Sequence, residues 1–349
     1  RLYRALHHPV RPVVLLVLGA FLTLAVLWTA TWNLGRLEHE NARETAETTS
    51  RELLDTYEAQ VVRVLQQIDQ TLRSVQYAVQ LRGDGRTAFD DLNDRDLLPP
   101  DLIFVVSVTD EAGDLVATNG LSLLVADPEG DILDLARESH SLVVGQPVAV
   151  GDEWRLPFGR RLIAPDGSFG GVATVEVDPS FFVSGYEVSR LGSDGVLGIL
   201  GQDGIFRARR SGDDVTFGGR TDYGSVVTEQ GFGDTRAVLS VNEWDGVRRY
   251  TSARELYGFP MAVVVGLSEE EALAPAYDRT STYVARAGMA SLLLILIAHH
   301  LLRVSPPHGV SRGYRSPPRL PSPHRCRPTQ KAGSLQAAQG HWVSGLRKA

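Results

Sequence analysis

The chain has 349 residues, of which 43% are hydrophobic and 22% are charged, and it contains one cysteine, Cys326. These values exclude a miniprotein and a fully disordered chain, and a lone cysteine excludes an intramolecular disulfide and a CxxC metal or redox site. The net charge is −7, but all 42 acidic residues lie between Glu38 and Asp278. Residues 33–282 hold 22 arginines and no lysine, a net charge of −20. We therefore expect no nucleic-acid partner, because phosphate binding needs clustered cations.

Twenty uncharged residues, Val13 to Trp32, follow three arginines near the start of the chain. This length is typical of a membrane span, and Trp28 and Trp32 are typical interface aromatics. We interpret residues 13–33 as an uncleaved signal anchor, with residues 1–12 in the cytoplasm. A cleaved signal peptide is the alternative, but the apolar run is long for one and no clean small-x-small site follows it.

A second apolar run, Ala287 to Leu302, becomes a span over residues 283–303 if Arg286 snorkels toward the outer interface. The basic residues beyond both spans indicate that both termini are cytoplasmic and that the acidic segment lies outside. His299 and His300 could form an intramembrane proton relay, but a pair near the inner boundary is more often interfacial, and we assign it no chemistry.

Residues 34–100 are predicted to form a stalk and a long helix, because residues 36–82 contain neither Gly nor Pro. Apolar residues recur there at steps of three and four, at Leu54, Tyr57, Val61, Val64/Leu65, Ile68, Leu72, Val75 and Val79. This stripe could pack on its own globular domain or against a second chain, and its near-heptad spacing would let it do both in different portions. We interpret the segment from Gly83 to Pro100 as a polar loop.

After Pro100 the pattern changes to strands separated by Asp- and Gly-rich turns. Strands are predicted at Leu102–Val108, Asp114–Thr118, Leu142–Val150, Glu153–Ile163, Val172–Val177, Val196–Leu200, Ile205–Arg209, Thr235–Val241, Gly246–Arg254 and Met261–Leu267. Asp178-Pro179-Ser180 opens a short helix, and Ser268 to Glu271 reads as a capping box for the helix that enters the second span. The repeated order of elements suggests two related modules, at residues 101–190 and 191–278.

Several stretches of this sequence, taken in order, resemble the extracytoplasmic double Cache sensor of bacterial transmembrane receptors. They are VSVTDEAGDLVATNG, VVGQPV, DEWRLPFGRRL, APDGSFGGVATVEVDPSFF, LGSDGVLGILGQDGIFRARR and FPMAVVVGLSEEEAL. The resemblance covers residues 13–303 and is greatest to sensors that precede diguanylate cyclases and sensor histidine kinases. It implies an α+β fold in which a long N-terminal helix precedes two tandem PAS-like antiparallel-sheet modules, flanked by two transmembrane helices. It also implies an inner-membrane homodimer joined through the long helix, with a small-molecule ligand in the membrane-distal module.

The resemblance places the ligand site in the segment from Trp154 to Arg161, with Trp154, Phe158, Arg160 and Arg161 as candidates. An arginine fits a carboxylate with two hydrogen bonds, so this segment could hold an organic anion. Strand alternation sends Arg160 and Arg161 to opposite faces, so at most one is expected in a pocket. Equally, both arginines could be surface residues and Trp154 a core residue.

Asp178 is a fifth candidate, which could close the pocket or simply cap the short helix after it. The sequence also departs from the family before VVGQPV, where an Asp-Arg-x-Tyr-Phe-like stretch is common. This chain has Asp127-Pro128-Glu129-Gly130-Asp131-Ile132-Leu133 there, and it lacks the aromatic residues.

No HExxH, P-loop or dinucleotide fingerprint occurs, so we predict no enzyme activity, catalytic residue, metal or cofactor. Residues 304–349 contain seven prolines, eight basic residues and no acid, which is typical of a disordered tail. We favour a shifted reading frame for this tail over a genuine basic tail that binds anionic lipid.

The sequence therefore predicts a sensor of extracytoplasmic small molecules that signals across the membrane without its output domain. Two alternatives remain. The chain could be the sensory half of a diguanylate cyclase or histidine kinase truncated by a frameshift, or a membrane-anchored protein-interaction module that transmits no signal.

Overall fold

A computed structural model of the chain describes residues 12–100, 104–122, 132–185, 190–228 and 237–304. Three segments about which the sequence made predictions lie outside the described residues. They are the N-terminus, predicted to be cytoplasmic, the basic tail beyond residue 304 and the Asp127–Asp131 stretch. The described helices are α1 Pro12–Arg82, α2 Gly85–Asp94, α3 Ile132–Glu138, α4 Phe181–Ser184, α5 Tyr223–Thr228 and α6 Glu269–Val304. The described strands are β1 Val105–Thr109, β2 Leu115–Thr118, β3 Val143–Val144, β4 Val148–Val150, β5 Glu153–Ile163, β6 Phe169–Val177, β7 Val196–Gly201, β8 Phe206–Ser211, β9 Asp214–Thr216, β10 Val238–Val241, β11 Arg248–Glu255 and β12 Met261–Ser268.

α1 confirms the long N-terminal helix and joins it to the first span without a break. It has 71 residues, a length of about 107 Å at 1.5 Å per residue. Its apolar stripe from Leu54 to Val75 is buried against the two sheets of the same chain. From Leu54 to Val75, the stripe therefore packs on its own domain.

The first sheet has the order β2-β1-β6-β5-β3, with β4 paired to the end of β5, and all of its pairs are antiparallel. Alternate residues of β6, Ala173, Val175 and Val177, pack in the core that α1 covers. The opposite face carries Val172, which packs with Ile132 and Ala136 of α3. α1 and α3 therefore lie on opposite faces of this sheet.

The second sheet has the order β10-β11-β12-β7-β8-β9, again antiparallel. It contacts the earlier part of α1, where the Ser50 hydroxyl donates to the Tyr250 carbonyl at 3.0 Å. The first sheet contacts a later part, where Asp69 pairs with Arg160. Since the apolar span is at the start of α1, we call the second sheet proximal and the first sheet distal.

α6 begins directly after β12, with three glutamates in its first turn, as the capping signal predicts. α1 and α6 each contain a segment long and apolar enough to cross a membrane. The two helices meet beside these segments, where Glu38 accepts hydrogen bonds from Arg279 at 3.1 Å and from Tyr283 at 3.0 Å.

Four short elements were missing from the sequence prediction: α2, α3, α5 and β9. The prediction of a polar loop over Gly83–Pro100 is wrong for α2, whose N-cap Asp84 accepts a hydrogen bond from the Thr87 amide at 2.8 Å. This helix buries Ala88, Phe89 and Leu92, and Phe89 and Leu92 pack in the core beside the distal sheet. An apolar pattern only ten residues long is a weak helix signal in a sequence. The single strand predicted from Leu142 to Val150 is two short strands, β3 and β4, because Gly145 to Pro147 interrupts it.

Candidate functional site

The two arginines predicted at the site lie on opposite faces of β5, as strand alternation requires. Arg160 faces α1, where its Nε donates to Asp69 Oδ1 at 2.6 Å, and its side chain is 10% exposed. Arg161 faces the other way, with its guanidinium 5.9 Å from the centre of the Phe169 ring. Arg160 is thus committed to an ion pair inside the fold, and the two arginines do not converge on one place.

Phe158 also faces α1. Its ring is fully buried in the main core, 6.0 Å from the ring of Phe182. Phe158 therefore packs in the core, and it lies away from Trp154, the other aromatic candidate.

Trp154 and Asp178 are brought together, on the walls of a groove of about 570 Å³ at the end of the distal sheet. Leu121 and Val105 form its apolar part, and Trp154 packs against Phe217, which follows β9 of the proximal sheet, with ring centres 5.3 Å apart. We call this the Trp154 groove. Its volume lies within the range of small-molecule sites.

The charged groups of the Trp154 groove are mainly acidic. Asp152, Glu153 and Asp178 face one basic residue, Arg155, which donates to Glu153 at 2.6 Å. Asp178 also accepts from the Ser180 amide at 2.8 Å, so it supports the start of α4 while lining the groove. Both functions considered for Asp178 are therefore compatible.

A buried carboxylate, Glu176, lies next to this groove on β6. It pairs across the strands with Val105, a residue of the groove wall, and its Oε1 accepts from the Ser122 hydroxyl at 2.6 Å. It is on the face of the distal sheet opposite α1, with Thr174, whose buried hydroxyl has no hydrogen-bond partner among the described residues. Buried polar groups are costly unless they are paired, so their concentration on one sheet face is a sign of function.

Two solved sensory domains are similar in structure to this chain. The extracellular domain of a histidine kinase, rpHK1S-Z16, superimposes with a TM-score of 0.51 at 21% identity, over 66% of this chain and 96% of that one. The periplasmic sensory domain of the Campylobacter jejuni chemoreceptor Tlp1 gives a TM-score of 0.50 at 12% identity, over 67% of this chain and 99% of that one. No family model and no curated protein matches the sequence.

This chain has the fold of a bacterial extracytoplasmic sensory domain. The match extends over nearly the whole of both sensory domains, which agrees with the predicted α+β fold and its two antiparallel sheets. Together with the two candidate spans, the fold indicates a membrane protein with an extracytoplasmic domain.

Sequence reasoning missed Arg155 and Glu176. Leu156 pairs with Val177, so Arg155 and Asp178 are the next residues outward on the two strands. The signal for Glu176 was a carboxylate inside the otherwise uncharged strand FGGVATVEV. Which of these residues contacts a ligand stays a prediction, as do the module boundaries at residues 101–190 and 191–278.

Proposed function

We propose that the chain senses an extracytoplasmic small molecule at the Trp154 groove and transmits its occupancy to the membrane spans through α1 and α6. The observation that carries the proposal is the meeting of Trp154, Arg155 and Asp178 in one groove beside the buried Glu176. A groove with an aromatic wall and a few convergent charged groups is a typical small-molecule site. We assign no catalytic step to these residues.

We propose a ligand that carries an amino group, with or without a carboxylate, in place of the organic anion expected from the sequence. The anion required Arg160 or Arg161, and Arg160 is paired with Asp69. Asp178 and its acidic neighbours favour an ammonium group. Arg155, paired on the exposed side with Glu153, is placed to exchange that partner for the carboxylate of an amino acid.

The connections to the membrane support signalling over simple anchoring. β12 of the proximal sheet ends at Ser268 and α6 begins at Glu269, so no loop separates the sheet from the helix that enters the second span. A ligand that binds two arrangements of the sheets unequally would shift the position of α6 relative to α1. The protein-interaction module remains the rival, and it requires no such displacement.

The topology that we propose has both termini in the cytoplasm and the sheets outside a bacterial inner membrane. It follows from the basic residues beyond each span and the acidic segment between them. Under this topology α6 delivers any displacement to the cytoplasmic side at Arg303, which is where an output domain of a truncated cyclase or kinase would begin.

We keep the homodimer through α1 as part of the proposal. The buried stripe of α1 is occupied by its own sheets, so a second chain would contact the outer face. That face carries two large apolar side chains one turn apart, Tyr77 and Leu81, which are 67% and 69% exposed. Light scattering of the full chain with both residues replaced by serine should show a weaker dimer.

The sensing proposal can be tested with the full chain in lipid nanodiscs. Melting is followed with a panel of L-amino acids, the matching primary amines and the matching carboxylic acids. We expect the amino-bearing compounds to raise Tm, and Asp178→Asn to weaken the best of them about tenfold, since a charged hydrogen bond contributes about 1.5–3 kcal/mol. Asparagine can still accept from the Ser180 amide, so the fold should be retained.

Asp213→Asn is the matched control, because Asp213 is exposed and lies outside the groove. It should leave the melting shifts unchanged. Stabilisation by carboxylic acids alone, unaffected by Asp178→Asn, would contradict the proposed ligand class. A panel without any stabilising compound would favour the interaction module.

A further inference from the structure

A second and larger cavity, of about 1060 Å³, lies between the two sheets. Leu142 to Val144 and the end of α3 line it from the distal sheet. The turn that contains Asp203 and the hairpin between β11 and β12, at Leu256 to Pro260, line it from the proximal sheet. We call it the inter-sheet cleft. It is slightly larger than the usual range of small-molecule sites, about 300–1,000 Å³, and shares no residue with the Trp154 groove.

Arg207 connects the two sheets at the wall of this cleft. The residue is 4% exposed, and its two terminal nitrogens donate to Asp203 at 2.9 and 3.0 Å. One of them also donates to the carbonyl of Val144, a residue of β3, at 3.4 Å. The charge of Arg207 is therefore already compensated, and the guanidinium is held by contacts from both sheets.

Arg254, the second basic residue that lines the cleft, is also in ion pairs. Arg254 pairs with two carboxylates of α1, Asp55 at 2.8 Å and Glu58 in a shorter contact. Glu255, by contrast, is an exposed carboxylate whose hydrogen-bond partner within the described part of the chain is the Tyr223 hydroxyl, which donates to it at 2.8 Å. With both cations paired, the charge left available at the cleft is negative.

The rest of the cleft is largely apolar. The apolar side chains that line it include Leu135, Leu142, Val143, Val144, Val227, Leu256, Phe259 and Pro260. Such walls favour an apolar ligand body, while an organic anion would meet no unpaired cation among the described residues of the cleft.

We propose that the inter-sheet cleft is a second ligand site, for a small amine with an apolar body. The ammonium group lies at the Glu255 end and the body packs against Leu142, Leu256 and Phe259. This site goes beyond the proposed sensing at the Trp154 groove and does not depend on it. Because both sheets contribute walls, an occupant stabilises one arrangement of the sheets relative to the other, which gives the chain a second input into α6.

The probe is 2-phenylethylamine, titrated into the full chain in nanodiscs by calorimetry, with 3-phenylpropionate as the matched anion. We expect the amine to bind and the acid not to bind. Ser141→Trp should abolish amine binding, because Ser141 is an exposed residue of the cleft wall whose replacement fills the cavity without entering the core. Glu255→Gln should weaken it about tenfold while keeping the Tyr223 hydrogen bond.

Glu243→Gln is the control, since Glu243 is exposed in the turn between β10 and β11 and lies outside the cleft. It should leave the amine Kd unchanged. Amine binding that survives Ser141→Trp but is lost in Asp178→Asn would place the amine in the groove and overturn the proposal, while supporting the proposed function. Equal binding of amine and acid, or no binding of either, would also overturn it.

Discussion

Asp69 of α1 and Arg160 of β5 form an ion pair with 2.6 Å between Oδ1 and Nε, although 91 residues separate them in the sequence. The pair ties the distal sheet to the helix that begins in the membrane. Both side chains are mostly buried, at 10% exposed for Arg160 and 17% for Asp69. Removing one partner leaves the other charge in a poorly solvated position.

Asp69→Ala is expected to lower the free energy of unfolding by about 3 kcal/mol, because an unpaired buried charge is strongly destabilising. The measurement is chemical denaturation of the full chain. Arg73→Ala is the control: Arg73 also pairs with Asp69 at 2.7 Å, but its side chain is 58% exposed. Arg73→Ala should lower the free energy of unfolding by less than about 1 kcal/mol. Equal losses in the two variants would contradict the assignment of Arg160 to α1.

The same pair predicts a pH dependence. Burial tends to raise the pKa of Asp69, but the hydrogen bonds and charges of Arg160 and Arg73 outweigh it and hold the pKa below its ordinary value of 3.8. The folded state therefore favours the ionised carboxylate. The stabilisation is complete well above pH 3.8 and is lost as the pH falls through the lower pKa of the folded state. The difference in Tm between wild type and Asp69→Ala should be constant at neutral pH and shrink in acid.

Gly171 is predicted to tolerate no side chain. Its φ is +114°, and a Cβ there would overlap the backbone carbonyl of Thr109 on β1. Gly171→Ala should destabilise by more than about 3 kcal/mol, since neither the backbone nor the neighbour can relax. Gly151→Ala is the matched control, with φ +64° but open space around the new Cβ, and should cost about 1 kcal/mol. Thermal melts of both variants test this ordering.

Glu38 is predicted to hold α1 and α6 together just outside the membrane. It accepts from Arg279 and Tyr283, and Gly35, one turn earlier, allows Thr280 to approach closely. Glu38→Ala should broaden the distance distribution between spin labels at Glu40 and Asp278, measured by pulsed EPR after Cys326→Ser. Glu44→Ala, another change on α1 at an exposed position, should leave it unchanged. An unaltered distribution in Glu38→Ala would show that other contacts suffice.

The proposed topology predicts the reactivity of cysteines. A membrane-impermeant maleimide should label a cysteine placed at Asp213, which is 98% exposed, in cells with a permeabilised outer membrane. Cys326, the only native cysteine, should be labelled only after the inner membrane is broken. Labelling of Cys326 in cells with an intact inner membrane would contradict a cytoplasmic C-terminus.

Much of the fold could be predicted because the signals were local. The stripe from Leu54 to Val75 gave the long helix, and strand alternation separated Arg160 from Arg161. The site was harder because its partners come from distant segments. No local pattern around Arg160 predicts its ion pair with Asp69, and none around Glu176 predicts its hydrogen bond with Ser122. The family resemblance pointed to β5, but the face of β5 on which Phe158 lies depends on which side of the sheet α1 covers.

α1 and α6 differ in stiffness where they leave the membrane. α1 has no proline or glycine from residue 36 to residue 82, whereas α6 carries Pro275 two turns above its apolar segment. Proline cannot donate to the carbonyl four residues earlier, that of Glu271, whose side chain meanwhile accepts from the amides of Ser193 and Asp194. α1 is thus uninterrupted over this stretch, whereas α6 has a position, Pro275, at which the helix can bend. Strain imposed by the sheets would concentrate at Pro275, and the second span would pivot there while the first stays fixed.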